Sequence, residues 1–201
     1  CRVLEHRGPD EEGWVVGSSH SLGSRRLRII DLTSGRQPIS NEDGTLSVVM
    51  NGEIYNYREI RRDLEARGHR FRTESDTEVI VHAYEAWGKD CVQRFNGQWA
   101  FALWDSKQGE LFCARVRFGI KPFYYTRVGD TVLFASEIKA LLAHPGAGQK
   151  PDDELLPRAR SLARVEDVYK SISDKDAAAE TELWIRRAEQ VVEPSKEDIF
   201  K

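Results

Sequence analysis

Cysteine is scarce here: Cys1, Cys91 and Cys113 are the only three among 201 residues. An odd number with no C-x-x-C spacing fits neither a paired disulfide framework nor a zinc motif, and argues for a reducing compartment. Long apolar runs are missing too. The richest stretches, Trp99–Trp104 and Leu46–Met50, fall far short of the roughly 20 residues that cross a bilayer, and no basic-then-apolar leader opens the chain. The five histidines are scattered, none paired with a second ligand at helical spacing, so no metal site is expected. There is no phosphate-cradling glycine loop and no G-x-S-x-G elbow. A formal charge of −3 gives no reason to expect nucleic acid or a membrane surface as partner. The expectation is a soluble, cytoplasmic chain, with 40% hydrophobic residues for one core and an appendage.

What is present is a series of short β-prone runs parted by turn residues, with two helical patterns between them, which is an α+β layout. Strands are predicted at Trp14–Gly17, Leu22–Ile30, Leu46–Asn51, Trp99–Asp105, Leu111–Val116, Phe123–Arg127 and Thr131–Ala135. Trp99, Phe101 and Leu103 alternate with Ala100, Ala102 and Trp104, so this strand should be covered on both faces. One helix should begin after Asn56 as N-cap, bury Ile60 and Leu64, and stop at Gly68. The next opens with Ser75-Asp76-Thr77-Glu78, a capping-box pattern, and carries Val79, Ile80, Ala83, Tyr84 and Trp87 as its buried stripe. Cys91 and Cys113 read as small buried hydrophobes, whereas Cys1 differs in carrying the chain's α-amine. After His144-Pro145-Gly146 the character changes. Residues 147–201 read as a charged appendage with helical patterns near Arg158–Ser171 and Lys175–Val192, leaving residues 1–146 as the main domain.

Several polar groups could carry chemistry, and each also has a plainer structural reading. The β-rich run ending at Asn51-Gly52 could be an ordinary Asn-Gly turn, or an amide and a free backbone N–H placed to hold an oxyanion. Arg25 and Arg26 interrupt a strand-like stretch. Alternation sends them to opposite faces, where a guanidinium forms a structural ion pair or grips a carboxylate with two hydrogen bonds. Asp76 at a helix start either interacts with the helix dipole or binds an ammonium group, and Glu53 has corresponding readings. His6-Arg7-Gly8-Pro9-Asp10 combines a turn with two bases and an acid.

Taken in order, the motifs are far more specific than any one alone. They are His6-Arg7-Gly8-Pro9-Asp10, Arg26-Leu27-Arg28-Ile29-Ile30-Asp31-Leu32, Asn51-Gly52-Glu53-Ile54-Tyr55-Asn56-Tyr57 and Ser75-Asp76-Thr77-Glu78-Val79-Ile80. They continue with Arg117-Phe118-Gly119-Ile120-Lys121-Pro122-Phe123-Tyr124-Tyr125 and Ala135-Ser136-Glu137-Ile138-Lys139-Ala140-Leu141. Together they resemble the class II glutamine amidotransferase (glutaminase) domain of glutamine-dependent asparagine synthetases over residues 6–145. The resemblance implies an N-terminal-nucleophile hydrolase fold, a four-layer α/β/β/α sandwich with two antiparallel sheets. It implies that a Cys1 thiolate attacks the amide of L-glutamine, releasing ammonia and leaving a thioester that water hydrolyses to glutamate, with the α-amine as base. By the same resemblance, Asn51 and the Gly52 N–H hold the oxyanion, Arg26 binds the glutamine carboxylate, and Asp76 with Glu53 receives its amino group. No cofactor is expected for this step; ATP and magnesium would belong to a synthetase domain that this chain lacks. The partners implied are L-glutamine, a synthetase domain or subunit, and a second copy in a homodimer.

This sequence departs from the family pattern in three places. The family sets its cysteine in a strand and helix well ahead of His-Arg-Gly-Pro-Asp, but here Cys1 stands only a few residues before His6. Either a segment is missing between Cys1 and Arg2 and Cys1 is the nucleophile, or the front of the domain is lost and Cys1 is incidental. Val116 stands where the family has an aspartate expected to anchor neighbouring arginines, which would loosen local order. Residues 147–201 do not resemble the synthetase domain. Two further functions therefore stand beside glutamine hydrolysis: an inactive glutamine-binding or scaffold module that recruits a partner, and a class II enzyme acting on a sugar phosphate or phosphoribosyl acceptor.

Overall fold

The computed structural model describes residues 1–147 and the backbone of residues 181–186. Its centre is a five-stranded antiparallel sheet in the order β3-β4-β5-β6-β9, formed by Ile39–Ser40, Leu46–Ile54, Gly97–Asp105, Glu110–Val116 and Thr181–Arg186. β4 and β5 pair without interruption from Leu46↔Asp105 to Ile54↔Gly97. The alternation predicted for β5 is observed. Trp99, Phe101 and Leu103 belong to the main core, with Val48, Met50, Phe112 and Ala114. Ala102 belongs to a second, smaller core on the other face with Val49, beside Trp104.

Two helices cover the first face. Helix α1, Tyr57–Ala66, buries Ile60 and Leu64. Helix α2, Glu78–Trp87, buries Val79, Ile80, Ala83 and Tyr84, and also Val81 and His82; α2 is thus wrapped more fully than a one-sided stripe allows. On the second face lie two hairpins: β1 (Glu11–Val16) with β2 (Ser21–Arg26), and β7 (Tyr124–Val128) with β8 (Thr131–Ala135). Leu22 and Val15 from the first hairpin and Phe134 from the second fill the smaller core. A short helix, α3 (Ile138–Leu142), follows β8, and a 3-10 turn over Arg2–Arg7 lies against it. The helix/sheet/sheet/helix order is therefore as expected, but the second sheet consists of two separately hydrogen-bonded ribbons. None of the helices among the described residues is long and apolar enough to cross a membrane.

Three local expectations need correction. Asn56 does precede α1, yet its side chain caps nothing there. Its Nδ2 donates to the Arg94 carbonyl at 2.9 Å and its Oδ1 accepts from the Asn96 N–H at 2.9 Å, tying the helix start to the entry of β5. The Ser75–Glu78 capping box is also absent. Ser75 Oγ accepts from the Thr77 N–H, while the Glu78 carboxylate turns back to the N–H groups of Arg72 (2.8 Å) and Thr73 (2.7 Å) and the Thr73 hydroxyl (2.5 Å). The unpaired donors of the 72–73 loop outcompete the helix's own first turn for this buried carboxylate. Third, the helical pattern at Lys175–Val192 holds a strand at Thr181–Arg186, antiparallel to β6 from Leu111↔Arg186 to Val116↔Thr181. Thr, Trp and Ile in that stretch suit a pleated strand, and β6 offers an edge to pair with. The pattern at Arg158–Ser171 lies outside the described residues.

Cys91 is fully buried in a 3-10 turn, Gly88–Arg94, and Cys113 is half-buried in β6. Burial pushes the Cys91 thiol up to about 12, so it acts as an inert hydrophobe. Val116 does not loosen its surroundings, because it packs on the edge of the main core.

Glu78 is 1% exposed. Burial would raise its pKa, but the nearby His82 imidazole and the hydrogen bonds from the Thr73 hydroxyl and the Arg72 and Thr73 amides outweigh burial and lower it. Glu78→Gln turns an amide NH2 toward those donors; it should cost about 2–4 kcal/mol of unfolding free energy, measured by urea denaturation.

Candidate active site

A cleft of about 640 Å³ opens where the first hairpin meets β4 and the start of α2, and Cys1, Arg26, Asn51, Gly52, Glu53 and Asp76 all line it. Folding thus brings together the six residues to which the resemblance assigned a part in glutamine chemistry. What each one does locally differs.

Asn51 and Gly52 are not a turn. They lie inside β4, paired with Ala100 and Trp99. Gly52 has φ +134°, and a Cβ there would sit 2.0 Å from the Gln98 carbonyl oxygen. Only glycine fits such a backbone so close to its neighbour strand. Asn51 Nδ2 is buried and has no hydrogen-bond partner among the described residues. A buried amide donor without an acceptor costs about 1–3 kcal/mol, and such groups are expected where a ligand completes the bonding.

Asp76 is 5% exposed and accepts from the Ile54 N–H at 2.9 Å. Its pKa is raised, first by burial and then by the nearby Glu53 carboxylate, against the opposing bonds from the amides of Ile54, Thr77 and Asp76 itself. Asp76 and Glu53 thus repel each other here, an arrangement an incoming ammonium would relieve.

Arg25 and Arg26 do point to opposite faces, yet both are nearly covered and both are paired. Arg25 binds Glu12 at 3.1 Å and the Gly8 carbonyl at 3.0 Å. Arg26 Nη1 meets Glu11 at 3.2 Å, and Nη2 donates to the carbonyls of Ile30 and Asp31. A two-bond grip on a carboxylate would therefore compete with partners already in place.

The Cys1 thiol lies over the β2 backbone, since a Cβ added at Gly23 would stand 2.7 Å from Sγ. It faces the same cleft as Asn51. The His6-Arg7-Gly8-Pro9-Asp10 motif is a staple rather than an acid–base pair. His6 Nε2 lies 2.8 Å and Arg7 Nη1 3.3 Å from the Glu137 carboxylate at the start of α3. Asp10 accepts from the Arg28 N–H at 3.0 Å, and Gly8 packs on the backbone of Arg25 and Arg26.

Gln37 was not apparent from sequence. It is buried, accepts from the Met50 N–H at 2.7 Å and donates to Thr77 Oγ1 at 3.1 Å, so it joins the residue before Asn51 to the residue after Asp76. Nothing in a lone Gln-Pro pair signals that bridge.

The sequence family described as the glutamine amidotransferase domain matches residues 1–191. The chain belongs to that family. Among relatives of the amidotransferase domain, asparagine synthetase [glutamine-hydrolyzing] 3 of Bacillus subtilis is 48% identical over 153 residues, which is 75% of this chain and 25% of the relative. Asparagine synthetase [glutamine-hydrolyzing] 3 of Arabidopsis thaliana is 45% identical over 141 residues, covering 70% of this chain and 24% of the relative. The chain therefore spans about a quarter of the length of these proteins. In structure it resembles glutamine phosphoribosylpyrophosphate amidotransferase from B. subtilis, with a TM-score of 0.50 and 27% identity over 60% of this chain and 28% of that one.

Gly52→Ala should strain this amidotransferase domain at its centre. A positive φ costs about 1–3 kcal/mol for a residue with a side chain, and the clash with Gln98 must also move β4 from β5. The expected result is a lower thermal midpoint together with loss of glutamine binding, read by differential scanning fluorimetry and calorimetry.

Proposed function

We propose that this domain hydrolyses L-glutamine to glutamate and ammonia through a cysteinyl thioester, and that the ammonia serves asparagine synthesis in a synthetase domain or subunit. The observation carrying this reading is that Asn51, whose buried Nδ2 has no partner among the described residues, lines with Gly52 the same cleft as Cys1. The synthetase relatives supply the choice of ammonia acceptor.

In this mechanism the Cys1 sulfur attacks the side-chain amide carbon while the α-amine of Cys1 takes the thiol proton. Charge gathers on the amide oxygen, where Asn51 Nδ2 and the Gly52 N–H receive it. The C–N bond then breaks, and the proton held by the amine leaves with ammonia. Water adds to the thioester carbon, the C–S bond breaks, and glutamate departs with the thiol restored. Asp76 and Glu53 bind the substrate ammonium and Arg26 its carboxylate. The glutaminase step needs no cofactor; ATP and magnesium belong to the asparagine-forming step elsewhere. A homodimer is compatible with this scheme but is not required by it.

Glutamate release from glutamine, with mass-spectrometric mapping of a glutamine-analogue electrophile to Cys1, tests the proposal. Turnover and labelling are expected. Calorimetric glutamine binding without either would instead support a binding module that recruits a partner. Asn51→Ala should lower kcat by about 10²–10³-fold with KM little changed, which steady-state kinetics will show.

Asp76 gives a pH signature with a definite sign. Because its folded pKa lies above the ordinary 3.8, its ionisation opposes folding at neutral pH, and that penalty is relieved as pH falls through the raised value. Asp76→Asn should thus hold or raise the melting temperature at pH 7 while weakening glutamine binding. In the parent domain, glutamine affinity should fall as acidification protonates Asp76, as measured by calorimetry across pH.

A further inference from the structure

Four side chains on the helical face, away from the cleft, come from three separate segments. Glu42 lies in the turn between β3 and β4, His69 follows α1, and His82 and Glu85 stand one turn apart on α2. None of them lines the cleft. Ligand atoms of Glu42, His69 and His82 all lie within 4.8 Å of one another. His82 Nδ1 is 3.2 Å from Glu85 Oε2 and 3.7 Å from Glu42 Oε2, and His69 Nδ1 is 3.4 Å from the same Glu85 oxygen. In a tetrahedral zinc site with bonds of about 2.0–2.1 Å, neighbouring ligand atoms are about 3.3–3.4 Å apart. Three of the six edges are thus 3.2–3.7 Å, while Glu85 stands outside the group whose atoms are mutually within 4.8 Å, so its carboxylate must turn toward Glu42 to complete the tetrahedron.

The atoms behind the ligands are also in place. Glu85 Oε1 accepts from Asn41 Nδ2 at 2.8 Å and Glu42 Oε1 from the Arg70 N–H at 3.1 Å, so in each carboxylate the other oxygen is left toward the cluster. His82 is 1% exposed; its Nε2 is buried 3.6 Å from Glu78 Oε1, and Phe71 packs against the ring at 4.4 Å. With Nδ1 bound to a metal, the proton would sit on Nε2, where a small approach to Glu78 would give the carboxylate–histidine pairing that orients most metal-binding histidines. Three carboxylates, those of Glu42, Glu78 and Glu85, meet two imidazoles here, leaving an excess of negative charge that a divalent cation would neutralise.

We propose that Glu42, His69, His82 and Glu85 form a structural site for a divalent transition cation of the zinc class. Two imidazoles and two monodentate carboxylates suit a borderline-soft ion better than magnesium or calcium. The bound ion would clamp α2 to the β3–β4 turn and to the segment after α1. It would take no part in glutamine chemistry, so the proposal stands apart from the reading of the cleft.

The test uses the whole chain, stripped with a chelator and titrated with Zn²⁺ against a chromophoric competitor, with the melting temperature followed in parallel. One equivalent should bind with micromolar or tighter affinity and raise the melting temperature. His69→Ala and Glu85→Gln, confirmed as folded by circular dichroism, should each weaken binding by about tenfold or more. Co²⁺ substitution should give a tetrahedral visible band without a thiolate charge-transfer band. Absence of binding would overturn the proposal. So would binding unchanged in both variants, or a thiolate band that places the metal on a cysteine.

Discussion

The pairing of β4 with β5 is the interaction on which the other parts of this domain depend. Nine residue pairs run from Leu46↔Asp105 to Ile54↔Gly97, and Trp99, Phe101 and Leu103 of β5 face one way while Ala100, Ala102 and Trp104 face the other. Trp99, Phe101 and Leu103 make a deep seat for α1 and α2. Ala100 and Ala102 leave the opposite face shallow, so the hairpins approach closely and their edge becomes one wall of the cleft. The same pairing requires Gly52, because the β5 backbone at Gln98 occupies the space a Cβ would fill. One register therefore sets the core, the cleft and the position of Asn51 and Gly52.

The cleft is where the domain forgoes stability. Asn51 Nδ2 lacks an acceptor and Asp76 is a buried carboxylate beside Glu53, and neither arrangement favours the empty folded state. Two carboxylates elsewhere are well satisfied. Glu78, just two residues beyond Asp76, accepts three hydrogen bonds from the 72–73 loop, and Glu137 takes His6, Arg7 and Lys139, which hold its carboxyl down at about 2. The unmet donor and the two neighbouring carboxylates in the cleft are what the proposed glutamine ligand would complete, although His82 Nε2 and Trp99 Nε1, outside the cleft, are also without a hydrogen-bond partner among the described residues. Arg26 is the exception, since it is already engaged by Glu11 and two carbonyls, and the substrate-binding part proposed for it requires an exchange of partners.

Most elements were legible because their signal is local. Alternation marked β5 and its two covered faces, spacing marked Ile60 and Leu64 on α1, and the ordered motifs pointed to the amidotransferase fold. What failed was the identity of partners. Asn56 and Glu78 have the right chemistry for helix caps, but each found a stronger partner in another segment. Thr181–Arg186 carries both a helical and a strand pattern, and the free edge of β6 decided between them. The histidines were read as scattered, yet His69 and His82 have rings 5.3 Å apart, because α1 and α2 pack side by side and no sequence spacing records that.

The sequence alone determined which residues could be buried, which could bend the chain, and the set of polar groups available for amide chemistry, since these follow from side-chain volume, periodicity and motif order. Only the tertiary structure decided which donors are left without acceptors, which carboxylates lose water beside one another, and which arginine is already engaged. Those properties belong to pairs of groups distant in the chain, and a pair exists only once the sheet and its two coverings have closed around it.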